Sequence, residues 1–190
     1  TIYSSPVELS DYVYPKNDFS NKRVNVAIMG TNDIHGEIFP NIFQSPNNST
    51  LTSGGATNIY SYVKAMRNEW KDYFLWLDGG DQFQGTMECM LSDGNIMKDY
   101  YNSVNLSAIA IGNHEFDYGI EKLKEHIKNE NFPTLCANIY DIQQKKYIWE
   151  DGMWENVKPY EIFTLGNNPQ IKIGVIGLAT AETITFTSTL

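Results

Sequence analysis

Residues 106–117 read Leu-Ser-Ala-Ile-Ala-Ile-Gly-Asn-His-Glu-Phe-Asp, a short apolar run that stops at a glycine and is followed by polar side chains. An apolar run of this length, bounded by turn residues, is typical of a buried strand. Two earlier runs, at residues 24–29 and 73–77, have the same pattern and are also followed by glycine and polar residues. We therefore predict three buried strands of one sheet.

The segments between these strands have helical periodicity. Apolar residues share one face of a predicted helix that begins after Gly54-Gly55, and they are Ile59, Val63, Met66 and Trp70. Residues 87–103 are predicted to be mostly helical with a weak point at Gly94. A further helix over 119–129 is expected to present Ile120, Leu123 and Ile127 on one side. Strands that alternate with helices predict an α/β fold, with a largely parallel sheet covered by helices on both faces.

The rest of the chain is less regular. Residues 1–22 are predicted to be an N-terminal arm, and residues 23–190 a partial domain. Residues 40–53 are predicted to be a polar loop, and residues 141–168 to be irregular with a hairpin around Asp151-Gly152. Two further strands are expected at residues 134–139 and 171–178.

Composition excludes several classes of protein. The 190 residues carry 23 acidic and 14 basic side chains, a net charge of −9, which argues against a nucleic-acid partner. No apolar run approaches the roughly 18 residues of a membrane-spanning helix, so we expect no transmembrane segment. Cys89 and Cys136 do not form a Cys-x-x-Cys pair, and we interpret them as buried free thiols.

The polar residues after the three strands are the candidate functional residues. Asp33 and His35 follow the first strand and Asp81 the second, and the third is followed by Asn113 and His114. Because the carboxyl ends of parallel strands share one edge of a sheet, these side chains should converge there.

Four of these residues, at positions 33, 35, 81 and 113, suit a divalent metal. Asp33 and His35 are two positions apart, so an extended backbone would project both to the same side, where oxygen and imidazole nitrogen suit zinc, manganese or iron. Asp81 follows Gly79-Gly80 and could contact two ions, and Asn113 adds a neutral oxygen. His114 and Asp117 are three positions apart on a first helical turn, so Asp117 could accept the ring N–H of His114.

Three motifs in this order resemble those of the calcineurin-like metallophosphoesterases: Asp-x-His-Gly at 33–36, Gly-Asp-x-x-x-Gly at 80–85 and Gly-Asn-His-Glu-Phe-Asp at 112–117. The chain resembles more closely the amino-terminal metal-binding domain of the 5′-nucleotidase family, which includes UDP-sugar hydrolases and 2′,3′-cyclic-nucleotide phosphodiesterases.

The resemblance implies a phosphoric ester hydrolase with two divalent metal ions, such as zinc or manganese, and a nucleotide or other small phosphate ester as substrate. Asp33 and His35 would hold the first ion, Asp81 would bridge, and Asn113 would belong to the second ion. His114 and Asp117 would form the catalytic dyad. The resemblance further implies an extracellular, cell-surface or periplasmic protein.

The chain also departs from the family. Members carry further metal-binding histidines later in the chain, commonly as Gly-His-x-His, whereas this sequence has only His35, His114 and His126. Nothing corresponds to the family's carboxyl-terminal substrate domain. We therefore expect these residues to be part of a longer enzyme and to be metal-poor and inactive by themselves. The alternatives are a non-catalytic fragment or binding module, or a cyclic-nucleotide or nucleotide-sugar hydrolase with the same chemistry.

Three other polar residues have structural interpretations. His126 lies on an amphipathic helix and is predicted to be a surface or helix-packing residue. Asp78 precedes Asp81 closely, but we interpret it as a capping group or as a group that supports the metal ligands, rather than as the bridging ligand. Glu115 is interpreted as a structural acid at a helix start, favoured by the helix dipole.

Overall fold

The computed structural model describes residues 23–183, which divide into two compact units. One unit comprises the described residues before Gly30, with Glu37–Leu75 and Leu165–Ile171. The other comprises Gly30–Gly36, Trp76–Thr164 and the described residues from Lys172 onward. The arm predicted over residues 1–22 and the last residues, 184–190, lie outside the described part of the chain.

The strands run in the order β1 (Ala27–Thr31), β2 (Asn41–Gln44), β3 (Thr50–Ser53), β4 (Phe74–Asp78), β5 (Ala108–Ala110), β6 (Thr134–Leu135), β7 (Tyr140–Asp141), β8 (Lys146–Tyr147), β9 (Val157–Lys158), β10 (Tyr160–Leu165) and β11 (Ile171–Ile176). The α-helices are α1 (Ala56–Trp70), α2 (Met87–Leu91), α3 (Asn95–Val104) and α4 (Ile120–Lys128). Single-turn 3-10 helices cover Lys71–Tyr73, His114–Phe116 and Glu150–Gly152.

Five strands form a parallel sheet in the order β1-β4-β5-β6-β9. Asp78 at the end of β4 is opposite Ile109 of β5, and Ala110 at the end of β5 is opposite Leu135 of β6. This register places the carboxyl ends of β4, β5 and β6 at one edge of the sheet. The predicted α/β fold with a largely parallel sheet is confirmed.

Helix α1 confirms the helix predicted after Gly54-Gly55. Gly55 has a φ of +83°, and a Cβ there would lie 2.6 Å from the backbone nitrogen of Pro40, so the position requires glycine. The segment predicted as a polar loop over 40–53 instead contains the antiparallel pair β2 and β3.

The helix predicted over 87–103 is divided into α2 and α3 at Gly94, whose φ of +79° is left-handed. On α4, Leu123 and Ile127 are buried as predicted, but Ile120 is 51% exposed. The three residues share one side of α4, as predicted, and Ile120 is the first residue of the helix.

The predicted strand at 171–178 is confirmed as β11, which pairs with β10 in a separate two-stranded sheet. The hairpin predicted around Asp151-Gly152 is wrong, because a 3-10 helix occupies Glu150–Gly152. The hairpin is formed earlier by β7 and β8. The carboxylate of Asp141 stabilises its turn by accepting the N–H groups of Gln143 and Gln144, at 2.8 and 2.9 Å.

The second unit has a well-packed interior around Trp76, Met97 and Tyr101, each at most 1% exposed. Cys89 and Cys136 are buried and free, as predicted. Among the described helices, none combines the length and the apolar character that crossing a membrane requires.

Candidate metal centre

The loop after β1 carries Asp33 and His35, and both have left-handed backbones, with φ of 52° and 49°. The extended backbone predicted for this pair is therefore wrong. The physical reason is a contact with the loop after β4. The N–H of Asp33 donates to Gly80 O at 2.9 Å, and the N–H of His35 donates to Asp81 O at 3.1 Å, so the first loop bends across the second.

The two loops bring Asp33, His35 and Asp81 together. Each side chain offers one metal-ligating atom, and these atoms all lie within 4.8 Å of one another. Nδ1 of His35 lies 2.9 Å from Gln84 O, so its N–H donates to this carbonyl and Nε2 keeps a lone pair. Nε2 lies 3.7 Å from Oδ1 of Asp33. Two carboxylates and an imidazole nitrogen are a donor set that fits a divalent transition metal.

The loop after β5 touches Asp81 directly. The N–H of His114 donates to Oδ1 of Asp81 at 2.8 Å. A Cβ added at Gly112 would lie 2.7 Å from both Cγ and the backbone nitrogen of Asp81, so only glycine allows this approach. Asn113 stands between Gly112 and His114 in the sequence.

His114 and Asp117 lie on the single turn that the spacing predicts. Nδ1 of His114 is 2.7 Å from Oδ2 of the buried Asp117, and its ring centroid is 5.0 Å from that of His35. Burial lowers the pKa of His114, but the hydrogen bond and charge of Asp117, together with the charges of Asp81 and Glu115, raise this pKa overall.

Glu115 is buried, and its carboxylate is surrounded by backbone donors. It accepts the N–H groups of Asp81, Gln82 and Gly112 at 2.8, 2.6 and 2.7 Å. Burial raises the pKa of Glu115 to about 7, against the lowering effect of these three donors. The sequence predicted a structural acid, but the contacts join two loops rather than cap a helix.

Asp78 is not one of the three clustered side chains. Its buried carboxylate accepts the N–H of Gly80 at 2.9 Å, the amide of Gln82 at 2.7 Å and the hydroxyl of Tyr101 at 2.8 Å, with a further hydrogen bond from Thr31. Burial raises its pKa to about 6. No described helix begins at Asp78, so it supports the loop of Asp81 rather than capping a helix. The sequence does not predict its contacts with Gln82 and Tyr101, since Tyr101 is 23 positions from Asp78 and no local motif connects them.

His126 is a helix-packing residue rather than a surface residue. It is 1% exposed, and its ring packs edge-on against Phe83 with centroids 4.5 Å apart. Neither ring nitrogen has a hydrogen-bond partner among residues 23–183. Burial lowers its pKa to about 4.

Comparison with known proteins agrees with this geometry. The family model of the calcineurin-like phosphoesterases matches residues 26–174, most of the chain. The chain belongs to the calcineurin-like phosphoesterase family. Members of this family hydrolyse phosphoesters and bind divalent metals, and the cluster of Asp33, His35 and Asp81 is a candidate site for such an ion.

Within this family, the chain is similar to 5′-nucleotidases. It is 32% identical over 161 residues to the 5′-nucleotidase of Bos taurus, covering 83% of this chain and 27% of that protein. A snake venom 5′-nucleotidase from Gloydius brevicauda is 32% identical over 163 residues, covering 83% and 26%. The crystal structure of a 5′-nucleotidase precursor from Thermus thermophilus superposes with a TM-score of 0.72 at 26% identity, covering 87% and 30%. The chain thus spans about a quarter of the length of these curated relatives.

Proposed function

We propose that this calcineurin-like phosphoesterase chain provides the metal-binding residues of an enzyme that hydrolyses nucleoside 5′-phosphates. The observation that carries the proposal is the convergence of Asp33, His35 and Asp81 within 4.8 Å, beside the hydrogen-bonded pair His114 and Asp117. The similarity to proteins named 5′-nucleotidase supports the choice of substrate.

Within this proposal, the four predicted ligands would hold two divalent ions. Asp33 and His35 would hold one ion, Asp81 would serve both, and Asn113 would contribute to the second. Bound ions supply Lewis-acid chemistry, which lowers the pKa of water and neutralises charge on phosphate oxygens. The charges of the site require such cations, because Asp33, Asp81 and Asp117 without a counterion would repel a phosphate.

His114 would act on the leaving group. Its Nδ1–H donates to Asp117, which orients the ring and leaves Nε2 to face the substrate. In the protonated ring, Nε2 would carry the proton that is delivered to the leaving oxygen of the ester. Asp117 would hold the ring orientation and stabilise its positive charge.

The cellular location of the protein is also part of the proposal. One similar protein is named a snake venom 5′-nucleotidase, and a venom protein is secreted. We infer that the present protein likewise acts outside the cytoplasm. Fractionation of cells that express it at its full natural length would test this, with recovery in the cytosolic fraction as the contrary result.

The test of the activity is phosphate release from adenosine 5′-monophosphate by the protein at its full natural length, with Mn²⁺ present. Asp81→Asn removes a charge and keeps a residue type that tolerates the left-handed backbone at φ 61°. We expect its turnover to fall at least a hundredfold. Asp151→Asn is the matched control, since Asp151 is also left-handed, at φ 52°, but is exposed and pairs with Lys146. Unchanged turnover in Asp81→Asn would exclude the proposed function.

A further inference from the structure

Glu115 connects two of the three loops of the candidate metal centre through backbone groups alone. Oε2 accepts the N–H of Asp81 and the N–H of Gly112, and Oε1 accepts the N–H of Gln82. The side chain is 3% exposed, so water offers these donors little competition. Glu115 itself offers no ligand atom to the cluster of Asp33, His35 and Asp81.

The backbone of the second loop is shaped for this contact. Gly80 and Asp81 have consecutive left-handed backbones, with φ of 95° and 61°. In this turn the successive N–H groups of residues 81 and 82 both point toward one anion. Here that anion is the carboxylate of Glu115, which receives the N–H groups of both Asp81 and Gln82.

Asp81 is consequently held by hydrogen bonds both at its backbone and at its side chain, and the two partners are adjacent residues of the loop after β5. Its backbone N–H donates to Glu115, and its carboxylate accepts the N–H of His114. Because residues 114 and 115 are adjacent, these contacts close a ring of hydrogen bonds. The ring sets the direction in which the Asp81 carboxylate leaves the loop.

We propose that Glu115 is a positioning residue that tunes metal affinity by holding Asp81 in its ligating orientation. This inference rests on the proposed function, because it assumes that Asp81 binds metal. Glu115 acts through the loop and touches neither the ion nor the substrate.

The first test measures Mn²⁺ affinity by calorimetry in the protein at its full natural length, at a temperature where all variants are folded. Glu115→Gln keeps the side-chain length but replaces one acceptor end with an N–H₂ group that faces N–H donors. We expect Mn²⁺ affinity to fall about 10- to 100-fold, as for other groups that orient metal ligands. Glu130→Gln is the control, because Glu130 is another acid of this unit, and its carboxylate accepts the Thr134 hydroxyl.

A double-mutant cycle separates positioning from general stability. If Glu115 acts through Asp81, then Glu115→Gln should weaken Mn²⁺ binding by less than about threefold in an Asp81→Asn background. The same loss in both backgrounds, or no loss in Glu115→Gln alone, would overturn the inference while leaving the proposed function intact. No Mn²⁺ binding by the unsubstituted protein would overturn both.

Amide hydrogen exchange keeps the inference testable if Glu115→Gln fails to fold. In the unsubstituted protein without metal, the amides of Asp81, Gln82 and Gly112 should exchange slowly, because all three donate to a buried carboxylate. Exchange of these amides at the rate of an unstructured peptide would contradict the inference.

Discussion

Asp33, His35 and Asp81 share a backbone conformation that non-glycine residues rarely adopt, with φ between 49° and 61°. Each such residue stores roughly 1–3 kcal/mol of strain, which the surrounding structure must offset. Here the hydrogen bonds from Asp33 and His35 to the backbone of residues 80 and 81 hold the conformation. Seven other described non-glycine residues also have a positive φ, so the candidate site is marked by this conformation together with the convergence of the three side chains, and not by the conformation alone.

Gly112 provides a residue-level test of this arrangement. In Gly112→Ala, the new Cβ would collide with the carboxylate and backbone nitrogen of Asp81. We expect Mn²⁺ affinity to fall about tenfold or more and the free energy of unfolding to fall by about 1–3 kcal/mol. Gly30→Ala is the control, because a Cβ there meets nothing within 4 Å and Gly30 is not left-handed. Equal affinity in the two variants would show that this close approach does not matter.

His126 makes the free energy of unfolding depend on pH. The pKa of its ring is about 4 in the folded protein, whereas an exposed histidine has a pKa of 6.5. Between these values the unfolded state binds more protons, so His126 makes stability fall as pH falls through this window. Its contribution should be about 2 kcal/mol smaller at pH ~5 than at pH ~7.5.

The measurement compares urea unfolding of His126→Leu with that of the unsubstituted protein at both pH values. Asp78, Glu115 and Glu130 have raised pKa values, so their contributions are present at low pH and fade as pH rises, opposite to that of His126. The difference between the two proteins isolates the histidine. A difference that does not change with pH would show that the His126 pKa is not lowered.

At the scale of elements, helix α3 supports the loop that carries Asp81. The hydroxyl of Tyr101 lies 2.8 Å from Oδ2 of Asp78 and 2.8 Å from Oε1 of Gln82. The amide of Gln82 in turn donates to Asp78 and to Gly80 O. These buried hydrogen bonds stabilise the backbone conformation of residues 78–82.

Two tyrosine-to-phenylalanine changes test this support. Tyr101→Phe removes a donor from the buried carboxylate of Asp78, and we expect unfolding free energy to fall by about 1–3 kcal/mol. The hydroxyl of Tyr118 is buried and lacks a hydrogen-bond partner within residues 23–183. Tyr118→Phe should therefore be neutral or slightly stabilising. The free energy of unfolding of both variants is measured with urea. An equal decrease in the two would contradict the inference that α3 stabilises this loop.

The elements differ in how far the sequence predicts them. The strands at β1, β4 and β5 and helix α1 follow from local periodicity, and so does the meeting of His114 with Asp117. The left-handed turn at Asp33 and His35 does not, because it depends on hydrogen bonds to Gly80 and Asp81, far away in the chain. The contacts of Glu115 and Tyr101 are long-range for the same reason, and no spacing rule predicts them.

At the scale of the whole molecule, the net charge of −9 and the acidic cluster favour cation binding. A ligand that binds only the folded state stabilises it, by about 2.7 kcal/mol at a hundred times its dissociation constant. We expect saturating Mn²⁺ to raise the melting temperature of the full-length protein, with a much smaller rise in Asp81→Asn. Asp151→Asn should respond like the unsubstituted protein, and an equal rise in all three would place the binding elsewhere.

The central claim is that the loops after β1 and β4 bind a divalent metal jointly. Anomalous diffraction from crystals of the full-length protein grown with Mn²⁺ tests this claim most directly. We predict an anomalous peak at bonding distance from carboxylate oxygens of Asp33 and Asp81 and from Nε2 of His35. A peak elsewhere, or Asp33 and Asp81 oxygens that face apart with no peak between them, would contradict the account.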